Sequence, residues 1–240
     1  MNHKAILISH LLFFSYIYVI AFEYLKLRSF IFLKFRKKSL HFYLFQYCLL
    51  TFLTFPVLYF FELKTLSIAG LWFAFLIHLT LLKGEFNGGS DYMAILVASA
   101  LLLLQILPEK MAKLPLTYLC FQLIAAYFLA GLVKIKSTEW RQGKTLLMLI
   151  DSVHFNPHPA FIRFISIPGL SLTLGFMAIG FDLMFPLSLN TAFTIPILFI
   201  GVFFHFFNFL FFGLNRFFFI FLSAYPLLYF YLMILSTPPN

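Results

Sequence analysis

The sequence predicts an all-α integral membrane protein, a polytopic helical bundle of about eight transmembrane helices forming one domain over 1–240. Two observations lead there. Hydrophobic residues make up 62% of the 240 positions and charged residues only 10%, against about 45–50% and about 25% in a soluble domain. The apolar residues are also gathered into eight segments, at 5–25, 40–61, 65–82, 92–107, 115–133, 169–187, 191–212 and 214–235. A helix needs ~20 such residues to cross the hydrocarbon. The runs are too long and too uniformly apolar for barrel strands, and only helices or closed barrels satisfy their backbone in lipid.

The first span follows a charged start and leads into Glu23, Lys26 and Arg28 without a small-residue cleavage site. An uncleaved span is therefore expected, not a signal peptide. The fourth span is short, and the sixth is interrupted by Gly169, Gly175, Gly180 and Pro186. Between the fifth and sixth lies the longest polar stretch, 134–168. Within it 140–153 is expected as one interfacial helix, with Trp140, Leu147 and Ile150 on one face and Arg141, Lys144 and Asp151 on another. Pro157, Pro159 and Pro168 prevent a continuous helix into the sixth span.

Lys and Arg outnumber Asp and Glu, 17 to 8. In a membrane chain this excess reads as orientation and contact with anionic membrane lipid, not as a nucleic-acid signal. Lys26, Arg28, Lys34, Arg36, Lys37, Lys38, Lys83, Lys134, Lys136, Arg141, Lys144, Arg163 and Arg216 fall on one side of the expected topology. Lys4, Lys64, Lys110 and Lys113 fall on the other. The richer side is expected to be cytoplasmic, in a multi-pass protein of a bacterial inner membrane. Cys48 and Cys120 lie in apolar segments and read as small core residues.

Four groups can carry chemistry. Lys134 ends the fifth span, where it is either an interfacial anchor or, partly stripped of water, a base. His205 and Asn208, at i and i+3 in the seventh span, share a face, to hold one ligand or to join helices by hydrogen bonds. Asp182 lies within the sixth span and needs a partner there, His205 or Lys134. Asn87, Gly88, Gly89 and Asp91 form a turn before the fourth span, where Ser90 or Asp91 is expected to cap a helix starting near Tyr92. His78 and Glu23 read as structural. No phosphate-cradling glycine loop and no cysteine pair spaced for a metal are present, and His154 with His158, interrupted by Pro157, makes no convincing metal site.

Ala130-Gly-Leu-Val-Lys134, followed by Trp140-Arg-Gln-Gly143, resembles the A-G-x-x-K…W-x-x-G signature of the horizontally transferred transmembrane (HTTM) domain. That family includes the membrane part of the vitamin K-dependent gamma-glutamyl carboxylases. The turn at Asn87–Asp91, the segment Phe181–Pro186, the pair His205 and Asn208 and the final span resemble the family in the same order, over nearly the whole chain. The resemblance implies a quinone or hydroquinone cofactor, with Lys134 and His205 as catalytic residues. It implies a pocket between the fifth, seventh and eighth spans that includes Asn208, Asp182, Trp140, Gly131 and Gly143.

Three departures narrow this. The carboxylases carry an Asn-His pair where this chain has Gly88 and Gly89. They have a large soluble domain that these 240 residues lack. Their chemistry is lumenal, whereas the charge bias puts Lys134 inside. A complete gamma-glutamyl carboxylase is therefore not expected. Two functions stay open: a quinone-linked or peptide-modifying membrane enzyme, and a non-catalytic membrane partner for maturation or export of a peptide.

Overall fold

The computed structural model describes residues 3–26, 39–82, 88–150 and 159–236. Among these it is all-α, with eleven α-helices, eight of them the candidate membrane spans. In order they are α1 (His3–Lys26), α2 (Leu40–Phe60), α3 (Lys64–Leu82), α4 (Gly88–Ile106) and α5 (Lys113–Lys136). Then come the short α6 (Thr138–Arg141), α7 (Lys144–Ile150) and α8 (Pro159–Ile165), followed by α9 (Leu170–Met184), α10 (Thr191–Phe212) and α11 (Asn215–Ser236). Single 3-10 turns precede α5, at Glu109–Met111, and follow α9, at Phe185–Leu189.

The chain divides into two compact units. One holds residues 1–119 and 219–240, the other 120–218. In the first, α1, α2, α3 and α4 pack together. Phe13, Tyr16, Ile17, Ile20, Ala21 and Tyr24 bury one side of α1 almost completely. The ring of Phe55 lies over Gly70, where any Cβ would collide with it, so α2 and α3 approach closely. Polar side chains then join the helices as hydrogen bonds do in lipid. Cys48 Sγ donates to the Ala74 carbonyl at 3.2 Å, and Trp72 Nε1 donates to Ser99 Oγ at 2.8 Å.

In the second unit the inward faces repeat every three or four residues, as helical periodicity requires. α9 buries Ser171, Gly175, Ile179 and Asp182, and α10 buries Thr194, Ile197, Gly201 and His205. Small and polar residues point in, while Phe193, Phe199, Phe203 and Phe206 point out. That inversion suits helices whose outer surface meets acyl chains and whose association depends on close packing. Leu146, Phe161, Ile165 and Phe212 form a compact apolar cluster that joins α7, α8 and α10, with Trp140 packed against it.

The structure revises three expectations about elements. Over the described residues 140–150, the single helix expected there is instead divided between two, because Gly143 adopts φ +70° between α6 and α7, a conformation that ends right-handed helix. Trp140 therefore belongs to α6, apart from Leu147. The fourth span begins at Gly88, so Ser90 and Asp91 lie inside the first turn of α4 and not at the position before it. Pro186, expected to interrupt the sixth span, does not lie within its α-helix. The α-helix ends at Met184 and Pro186 sits in the following 3-10 turn. Asp151, His154, Pro157 and His158 lie outside the described residues.

Candidate functional site

The site in the second unit is built on three stripes. On α5, Tyr127, Gly131 and Lys134 follow one another at helical spacing and face the same way. Gly131 decides how near α9 can come. A Cβ there would lie 2.8 Å from Leu183 Cδ2 and 3.0 Å from Asp182 Cβ, so only glycine admits this contact without displacement. The approach brings Lys134 Nζ to Asp182 Oδ2, in an ion pair with the lysine side chain 20% exposed and the aspartate 2%. Of the two partners expected for Asp182, the structure selects Lys134.

The connection after α5 then folds back over this pair. Ser137 caps α6 by accepting a hydrogen bond from the Trp140 amide at 3.3 Å. Its hydroxyl donates to Glu139 at 2.7 Å, which holds that exposed carboxyl below the usual range. The cap sets Trp140 with its ring 5.4 Å from Lys134 Nζ, within range of a cation–π interaction. Trp140 lies beside Gly175, where a Cβ would make ordinary van der Waals contact with it, so this approach does not itself require glycine. Gly143 seals the turn against α9. A Cβ there would meet the Leu172 backbone at 2.7 Å, and Ser171 Oγ donates to the Gly143 carbonyl. Gly131, Lys134, Trp140 and Gly143 thus all engage α9, which explains their spacing by contact.

His205 is buried on α10, and its Nε2 lies 2.5 Å from the Tyr127 hydroxyl. Tyr127 stacks on Phe185, with ring centroids 3.8 Å apart, and meets Phe181 edge-on at 5.4 Å. Asn208 is half-buried one turn beyond His205. Its carbonyl accepts from the amides of Gly213 and Leu214, so its backbone closes the helix. Sequence reasoning did not single out Tyr127. The available signal was its place seven residues before Lys134, two turns along the same face.

No protein-family model, curated protein or solved structure matches the chain. Roles at this site therefore rest on its own geometry. Lys134, Asp182 and Trp140 form one group, from α5, α9 and α6, and Tyr127 and His205 form a second, from α5 and α10, two turns away along α5. Such a set can exchange protons and donate hydrogen bonds in surroundings that are largely apolar.

The turn residues belong to the first unit. Gly88 and Gly89 open α4, while Asn87 lies outside the described residues. Asp91 is 1% exposed and accepts a hydrogen bond from the Tyr16 hydroxyl at 2.9 Å. Its other oxygen is 3.6 Å from His78 Nε2, and His78 in turn lies 3.2 Å from the Tyr24 hydroxyl. His78, expected to be structural, and Asp91, expected to cap, are members of one buried polar network linking α1, α3 and α4.

Proposed function

We propose that this multi-pass membrane protein is an enzyme, or the membrane subunit of one, of the HTTM kind. Lys134 would move a proton to or from an apolar, oxygen-bearing substrate of quinone type or a peptide. The observation that carries the reading is the meeting of Lys134 with Asp182 under Trp140. In the ion pair Lys134 holds its proton, so base action needs somewhere for that proton to go. Asp182 is the acceptor. The N–H bond of Lys134 breaks as an O–H bond forms on Asp182, and an ion pair becomes a neutral pair, which apolar surroundings tolerate more readily. The free amine then takes the substrate proton. His205 and Asn208 would orient the substrate's oxygen atoms.

Gly131, Gly143 and Ser171 also support a second reading. The motif fastens α5 and α6 to α9, so Lys134 and Asp182 could serve as a clasp in a non-catalytic partner for peptide maturation. Arginine separates the two, since it keeps the charge but does not release its proton. In a complementation assay of the native host, Lys134→Ala is expected to abolish function in either case. Lys134→Arg is expected to abolish it only for proton transfer. Full function of Lys134→Arg at normal expression would remove the catalytic reading.

A further inference from the structure

The short helices after α5 have two faces of different character. Leu146 on α7 and Phe161 and Ile165 on α8 turn onto Phe212 of α10, and Trp140 of α6 packs against the same cluster. One face of each helix is thus committed to the core. The opposite faces mix charge with exposed apolar surface. On α7 that face presents Lys144 with Leu147 and Met148, and on α8 it presents Arg163 between Ile162 and Phe164. Met148 is 60% exposed and Phe164 43%. Charge is gathered on the same segment. Among the described residues of the second unit, the exposed charged side chains are Lys136, Arg141, Lys144 and Arg163, against Glu139 alone. The Ser137 hydroxyl donates to Glu139 and keeps it ionised, so four cations face one anion.

We propose that α6, α7 and α8 form a docking surface for anionic phospholipid. Arg141, Lys144 and Arg163 meet headgroup phosphates, while Met148 and Phe164 enter among the first acyl carbons. Charge complementarity selects the headgroup, because the excess of cations attracts an anionic leaflet. The apolar neighbours select a lipid over a soluble anion. An acidic peptide would satisfy the cations and leave Met148 and Phe164 in water, whereas the edge of a bilayer takes both kinds of side chain at once. Lysine and arginine suit this layer, since their stems cover apolar surface while their charged ends reach the phosphates. The proposal concerns the outer surface of this segment and is independent of proton transfer at Lys134.

Trp140, next to Arg141 in α6, is a built-in reporter of the lipid in contact with this surface. The test uses the full chain in mixed vesicles of phosphatidylcholine and phosphatidylglycerol, with Trp72→Phe leaving Trp140 as the sole tryptophan. Fluorescence quenching is compared for the two lipids, each brominated near the headgroup end of its acyl chains and present at the same mole fraction. Brominated phosphatidylglycerol is expected to quench more, with a relative affinity about two- to five-fold higher. Replacing Arg141, Lys144 and Arg163 together by Gln is expected to bring the ratio to about one. Replacing Lys4, Lys110 and Lys113, exposed cations of the first unit, removes the same charge and is expected to leave the ratio unchanged. If Trp72→Phe does not fold, native mass spectrometry of the parent chain gives the ratio from the lipids it retains out of detergent. Equal affinity for the two lipids in the parent would overturn the proposal and reassign this face to a soluble acidic partner. An equal fall in the ratio in both triple variants would also overturn it, since the preference would then follow total charge and not this surface. Lys134→Arg reports on proton transfer separately.

Discussion

Residue 131 shows how a single missing side chain sets the chemistry of its neighbours. Gly131→Ala places a methyl group within 3 Å of Leu183 and Asp182. Overpacking of this kind costs about 1–3 kcal/mol, and it should appear as a lowered unfolding temperature in detergent. An unaltered transition would show that α9 does not depend on the glycine. The charged pair can be measured directly. Lys134→Gln and Asp182→Asn should each destabilise the protein, and the double variant should lose less than the two combined. A coupling of about 0.5–3 kcal/mol is expected for contacting groups, and additive losses would mean the pair does not interact. Lys134, Asp182 and His205 were each legible as chemistry-bearing residues, because a polar side chain in a long apolar run stands out. Who meets whom was not legible, since depth along separate helices does not specify their rotation.

At the level of elements, span boundaries could be read closely. The seventh, for instance, was expected at 191–212, and the helix runs Thr191–Phe212. Composition suffices there, because any helix in lipid must keep its apolar side chains in the hydrocarbon. The break between α6 and α7 could not be read, since 140–153 has an acceptable amphipathic pattern and only the contact with Leu172 demands the left-handed glycine. Two substitutions separate conformation from contact. Gly213 also has positive φ, at 66°, but a Cβ there meets nothing within 4 Å. Gly213→Ala should cost only the left-handed strain, about 1–2 kcal/mol. Gly143→Ala should cost distinctly more and also displace Trp140. Tryptophan fluorescence would report the displacement. Equal stability losses would show that the Leu172 contact is unimportant.

Across the whole chain, the placement of Lys and Arg predicts a cytoplasmic connection between α5 and α6. Ser137→Cys tests it, because Cys48 and Cys120 are both 1% exposed and should not compete for a label. A membrane-impermeant maleimide should modify residue 137 only after the cytoplasmic side is opened. Labelling of intact cells from outside would reverse the topology. The sequence by itself determined that this is a helical membrane protein, with about eight spans and a polar connection after the fifth. Those properties depend on transfer of side chains between water and hydrocarbon, which each segment settles alone. Only the tertiary structure decided that Lys134 pairs with Asp182 beneath Trp140, that Tyr127 holds His205, and that Asp91 joins Tyr16 and His78. Such pairings depend on how close two helices come and which faces they turn to each other, and at Gly131 that distance is set by a side chain that is not there.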